Sequence, residues 1–175
     1  MKNYSKWLIL TGILVIALVF LGFFLIKSDS FKNLGPVRSR EGSERASTSN
    51  GIEINSIQYV KIAGKKLKVD LVLTPEAQER GLSGRIGLGE DEGMLFVFDH
   101  PDKYSFWMKD MNFPIDIVWL GEDLKVIYLK KNASPESYPQ TFTPNGEARY
   151  VLEVSPLFSE KNNLKEGDKV EFLSS

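Results

Sequence analysis

The chain has 175 residues and a formal net charge of -1, which suits one domain plus an appendage and gives no basic field to draw in nucleic acid. It has no cysteine, which excludes disulfides, thiolate nucleophiles, Cys-based zinc sites and a lipidated Cys anchor. Its single histidine, His100, cannot build a His-rich metal cluster, so neither a metal nor another cofactor is expected.

Residues 1–6 are a short N-terminal tail. Residues 7–26, WLILTGILVIALVFLGFFLI, form an uncharged apolar run of 20 residues, long enough to cross a hydrocarbon core of about 30 Å. A secretory signal has a shorter apolar core, of about 7–15 residues, and a small-residue cleavage site. Ser28 and Ser30 offer a weak site of that kind, but Lys27 and Asp29 interrupt it. The run is therefore read as an uncleaved transmembrane anchor, with a cleaved signal as the alternative. Lys2 and Lys6 precede the span, while Lys27, Lys32, Arg38, Arg40 and Arg45 follow it, so the basic residues alone favour the downstream side as cytoplasmic. A short tail before an early span is the pattern of a signal-anchor, and on that ground the C-terminal domain is expected outside the cytoplasm. Residues 27–50 are polar and aperiodic, and they read as a disordered linker.

Residues 51–175 carry strand signals. INSIQYVKI (54–62) and KLKVDLVL (66–73) alternate around AGKK and predict a hairpin. TPEAQERG (74–81) predicts a short helix: Thr74 caps it, Pro75 takes the first position and Gly81 ends it. Residues 82–92 are a glycine-rich loop, and GMLFVF (93–98) is a short buried strand. YSFWMK (104–109) is expected as its partner across a loop containing His100. IDIVWL and LKVIYL form a second hairpin around GED. An irregular stretch covers about 131–147, EARYVLEV (147–154) is a strand, and LKEGDKVEFL (164–173) is a turn and a final strand. The expected fold is mainly β: a compact antiparallel barrel or sandwich with one or two short helices.

Alternation puts Asp116 on one face with Val118 and Leu120, opposite Ile115, Ile117 and Trp119. A buried carboxylate needs partners, and the candidates are Arg85, Lys109 and backbone N–H groups. The expectation is a pair with Arg85 or Lys109 that holds the loops together. Arg85, in GLSGR, has glycine neighbours and a guanidinium suited to a carboxylate or phosphate. The plainer role for it is to fix its loop. Trp107 and Met108 face opposite sides, so one can be core while the other lines a surface, but core packing is the first expectation for both, together with Phe96, Phe98 and Phe106. An exposed Trp107 can stack on a sugar or apolar ligand, with Lys109 supplying a charged contact. Glu153 repeats the puzzle of Asp116, and two such carboxylates about 5–9 Å apart would suit glycoside hydrolysis.

GLSGR, EGMLFVF, FWMKDMNFPIDIVWL, YVLEV and LKEGDKVEF, in that order across residues 57–173, resemble the domain-of-unknown-function 192 family. The matching positions are Gly81, Leu82, Arg85, Gly93, Met94, Leu95, Phe96, Trp107, Met108, Lys109, Pro114, Asp116, Glu153, Gly167 and Asp168. The sequence departs from the family pattern at Asp110-Met111, where Asn-Thr is usual, and at Ser155-Pro156, where a glycine usually follows the strand Glu. The resemblance implies a small, mainly β domain, often exported or membrane-linked, with no established reaction, substrate or cofactor.

Three functions follow, in order of preference. The first is a membrane-tethered binding module for a small molecule or saccharide, using Arg85, Trp107, Lys109, Asp116 and Glu153. The second is an interaction or assembly domain with a protein partner, marked by an apolar patch near 131–147. The third is a hydrolase of envelope material working through Asp116 and Glu153.

Overall fold

The structure, a computed structural model, describes residues 51–174. The proposed span at 7–26 and the linker at 27–50 lie outside them, and among the described residues no helix is long and apolar enough to cross a membrane. Strands β1 (Tyr59–Ile62) and β2 (Lys65–Val72) form the first hairpin. They turn on Ala63 and Gly64, whose φ angles of 48° and 74° give the left-handed pair that a tight hairpin needs. Their apolar residues alternate, so Val60, Ile62, Leu67 and Val69 all point into one core. Helix α1 (Pro75–Arg80) follows as expected, with the Ala77 N–H donating to Thr74 Oγ1 at 3.3 Å.

Strand β3 (Glu92–Asp102) is longer than the sequence suggested. It runs through His100, which is therefore an exposed strand residue and not a loop residue. β3 lies parallel to β2, the one parallel pairing in the large sheet, with α1 in the connection between them. β5 (Ile115–Leu120) and β6 (Val126–Ala133) form the second hairpin, and β8 (Ala148–Val154) inserts between β5 and β3. β9 (Glu171–Leu173) pairs with β1.

The seven-stranded order is β6-β5-β8-β3-β2-β1-β9. Its two edges approach each other. The Val126 N–H donates to the Asp168 carbonyl at 2.9 Å, and the Gly167 N–H to the Val126 carbonyl at 2.8 Å. The sheet thus curls into a half-barrel, and Gly167, with φ of 89°, makes the turn that brings these groups together.

Strand β4 (Phe106–Trp107) does not pair with β3 as expected. It forms a separate two-stranded ribbon with β7 (Thr141–Phe142). The stretch from 131 to 147 is more ordered than its prolines suggested: it holds the end of β6, a 3-10 turn at Pro135–Ser137 and β7. Residues Ile54–Ser56 are likewise a 3-10 turn, not strand. A second helix, α2 (Phe158–Lys161), follows β8.

Two apolar clusters result. One fills the concave side of the sheet and includes Val118, Leu120, Leu152, Val154 and Phe172. The other lies on the opposite side, where α1 and the ribbon cover Met94, Phe96, Ile117, Trp119 and Val151. β5 is buried on both sides, which explains why its sequence is apolar at nearly every position.

Candidate functional site

Glu153 lies on β8 between Leu152 and Val154, which point into the concave core. Its own side chain therefore points to the other face, beside Met94 of β3 and Ile117 of β5 in register. It is 5% exposed. Its Oε2 is buried without a hydrogen-bond partner. Burial pushes its carboxyl up to about 8 from an ordinary 4.5, while the Arg85 guanidinium pulls the other way. A lone buried carboxylate is unfavourable, and protonation relieves it.

Glu153 lines a cavity of about 210 Å³ between the sheet, the end of α1 and the chain around β4. Phe96, Phe98, Tyr104 and Phe106 make its aromatic walls. The ring of Phe106 meets Phe96 edge-on at 4.9 Å, and Phe98 stacks on Tyr104 at 3.5 Å. Local chemistry holds these walls. Gln78 of α1 donates from Nε2 to the Val97 carbonyl at 2.9 Å. The buried Trp119 donates from Nε1 to the Tyr104 carbonyl at 2.8 Å. Gly81, with φ of 49°, ends α1 where an added Cβ would lie 3.3 Å from the Phe96 ring.

Trp107, Lys109 and Met111 complete the lining. Met108, 1% exposed, is core as expected, whereas Trp107 is 44% exposed and lies at the surface, because neighbouring residues of an extended chain face opposite sides. The Lys109 ammonium lies 5.8 Å from the Trp107 ring centroid. The loop after α1 is tied to the loop after β4 by three hydrogen bonds. Ser83 Oγ donates to the Lys109 carbonyl at 2.9 Å, the Gly84 N–H to the Asp110 carbonyl at 2.9 Å, and Asn112 Nδ2 to the Arg85 carbonyl at 2.8 Å. Asp110 takes φ of 55°, a left-handed conformation that Asp and Asn tolerate best. Met111 adds a thioether side chain to the cavity lining.

The other two expected site residues lie elsewhere. Asp116 is fully buried, but it pairs with neither Arg85 nor Lys109. Its Oδ1 accepts from the N–H groups of Asn132 at 2.8 Å and Leu157 at 3.2 Å, and its Oδ2 from that of Ser159 at 2.7 Å. Asn132 and Leu157 both have left-handed backbones, with φ of 45° and 63°. Asp116 thus pins two strained residues, one in β6 and one at the start of α2. A carboxylate can reach backbone groups wherever the fold delivers them, and here they outnumbered the side-chain candidates.

Arg85 forms an exposed pair with Asp70 at 2.7 Å and lines a separate depression of about 80 Å³, although its charge still reaches Glu153. Asp116 faces the concave core and Glu153 the opposite side, so the two carboxylates do not converge on a glycosidic bond. A broader depression of about 610 Å³ near α2 is lined largely by charged residues, of which Lys161 and Glu90 pair with each other at 3.1 Å. It has no unpartnered buried group comparable to Glu153. Among the described residues no cluster of His, Cys, Asp or Glu could hold a metal ion. The sequence reading missed Gln78, Ser83 and Tyr104 and assigned Phe96, Phe98 and Phe106 wholly to the core. The signal available was the aromatic density of FVF and YSFW beside a helix that ends on glycine.

The domain is similar to two solved structures. One is a protein of unknown function from Novosphingobium aromaticivorans DSM 12444, 33% identical, with a TM-score of 0.63, covering 66% of this chain and 84% of that one. The other, from Sinorhizobium meliloti 1021, is described as a "putative transcription regulator". It is 27% identical, with a TM-score of 0.61, covering 65% of this chain and 90% of that one. No curated protein matches the chain. The model of DUF192, "Uncharacterized ACR", matches residues 58–172, the segment that forms the curled sheet and the Glu153 cavity, and the chain belongs to that family.

Proposed function

We propose that this protein is a membrane-tethered binding module whose DUF192 domain takes a small molecule in the Glu153 cavity. The observation that carries this reading is one bare, buried carboxyl facing a preformed space with aromatic walls. Pockets of this kind combine apolar walls with a few fixed polar groups. A domain selected only for stability has no use for an unpaired buried carboxyl. Tethering rests on the uncharged run at 7–26, and an extracytoplasmic domain on its signal-anchor pattern. Because Asp116 is saturated by backbone donors on the other face of the sheet, binding is favoured over carboxylate-pair hydrolysis.

The test is a thermal-shift screen of the full-length chain in detergent against saccharides, phosphorylated metabolites, small acids, amines and divalent ions. A ligand at about 100 times its Kd adds about 2.7 kcal/mol, a shift of several degrees. A shift lost in folded Glu153→Gln and Lys109→Ala variants supports the reading. Shifts that persist in both variants place binding elsewhere.

A second reading, a surface for a protein partner, draws on Trp107 and Tyr138, which are 44% and 46% exposed and meet edge-on at 6.2 Å. Crosslinking from a photoreactive group at Tyr138 would test it. A discrete adduct lost on Trp107→Ala favours it, and a smear or no adduct counts against it.

A further inference from the structure

We propose that the cavity ligand is a small zwitterion of the amino-acid type, with its ammonium group on Glu153 and its anionic end toward Lys109 and Arg80. This rests on the binding reading above and adds the ligand's chemical class. The inner contact follows from Glu153, whose buried Oε2 lacks any donor. A ligand N–H that reaches this atom satisfies it, and a charged N–H does so most strongly. The walls point the same way. Phe96, Phe98, Tyr104 and Phe106 line the space with aromatic rings, of which Phe98 and Tyr104 stack face to face, and a ring face open to the cavity can take a cation where one is exposed.

The outer contact follows from the order of charges. Lys109 and Arg80 line the cavity and also the adjoining shallow depression, and both are exposed, which places them at the mouth. A purely cationic ligand would have to sit beside both. A ligand with an anion at the other end can place it against these two cations. Glu79 also lines the mouth, and Glu76 and Asp110 line the depression outside it, so an anion is favoured only where it lies against Lys109 and Arg80.

The charged or titratable groups around Glu153 are Glu79 and Arg80 of α1, Arg85 in the following loop, and Tyr104 and Lys109 on either side of β4. Burial holds the Glu153 carboxyl near 8. An ammonium ligand binds the ionised form, so each binding event near pH 7 releases close to one proton. The ionised fraction, and with it the affinity, rises about tenfold between pH 7 and 9. A neutral or anionic ligand that accepts a hydrogen bond from the protonated carboxyl shows the opposite trend.

The experiment is isothermal titration calorimetry on the full-length chain in detergent. The probes are glycine, β-alanine, 4-aminobutyrate and 6-aminohexanoate, which separate the two charges by increasing lengths. Butylammonium, butyrate and methyl glucoside are the controls. The expected result is one preferred length, at least tenfold tighter than butylammonium or butyrate. It gains affinity from pH 7 to 9, loses it in Glu153→Gln and weakens about threefold or more in Lys109→Ala. A melting temperature for Glu153→Gln at or above wild type shows that the loss is not unfolding. Butylammonium binding as tightly as the best zwitterion overturns the outer contact, and butyrate doing so overturns the inner one. Methyl glucoside binding alone, with loss in Glu153→Gln, overturns the zwitterion but keeps the cavity as a binding site. Silence across all probes overturns the zwitterion. Combined with a negative broad screen, it overturns the binding reading too.

Discussion

Asp116 and Glu153 are carboxylates on adjacent strands of one sheet, both nearly inaccessible, and their surroundings are opposites. Asp116 accepts three backbone N–H bonds and faces the packed concave core. Glu153 faces a cavity, and one of its oxygens has no partner. Removing the charge should therefore have opposite consequences at the two positions. A satisfied carboxylate adds to the architecture, and an unsatisfied one costs stability.

The largest expected effect is at Asp116. Asp116→Ala leaves three N–H groups without an acceptor, that of Ser159 buried and those of Asn132 and Leu157 part-buried, and should lower stability by about 3–5 kcal/mol. The urea midpoint of the full-length chain measures this. A loss below about 1 kcal/mol would make the two carboxylates alike and break the comparison.

Glu153 should behave in reverse. Its folded pKa is raised, from 4.5 to about 8. The folded state therefore holds the proton more tightly than the unfolded chain does. Its contribution is full below about pH 4.5, is lost progressively up to about pH 8 and is flat above. The loss is about 5 kcal/mol at most. Glu153→Gln does not titrate, so its melting temperature should gain on wild type between pH 5 and 8.5. A difference that stays constant with pH would mean that Glu153 is ionised and paired in the folded protein.

Gly93 sharpens the contrast from the backbone side. An added Cβ there lies 3.1 Å from the Glu153 carbonyl oxygen and 3.2 Å from Leu152. Gly93→Ala should cost about 1–3 kcal/mol by forcing β3 and β8 apart, again read from the urea midpoint. Recovery by the smaller Leu152→Val side chain would locate the strain at that contact.

The smallest effect is at Arg85. Its pair with Asp70 is exposed, so Arg85→Ala should change stability by less than about 1 kcal/mol. It should still raise the Glu153 pKa further, because it removes the one cation that pulls that carboxyl down. An NMR titration of the Glu153 carboxyl carbon separates these two results.

Much of this fold was legible along the chain. Both hairpins, α1 with its Thr74 cap and Gly81 stop, and the strands around Leu95 and Leu152 follow from alternation and capping. What failed was pairing between distant segments. Phe106-Trp107 joins Thr141-Phe142 and not the nearer strand, because Phe96 and its neighbours on β3 are already hydrogen-bonded to β2 and β8. The site was half legible for the same reason. Trp107, Lys109 and Glu153 share a cavity, while Asp116 is held by backbone groups as far away in sequence as Ser159, and Arg85 pairs with Asp70 on the neighbouring strand β2.

Local chemistry, then, was enough to mark the anomalous residues. A carboxylate in an apolar strand is conspicuous wherever it occurs, and alternation even assigned Asp116 and Trp119 to opposite faces. Only the tertiary structure decided which anomaly is saturated by the backbone and which faces a cavity. That choice depends on where backbone N–H groups and empty space lie around each carboxylate. The curl of the sheet brings Asn132, Leu157 and Ser159 to Asp116, and places α1 and the ribbon over Glu153 with a gap between them.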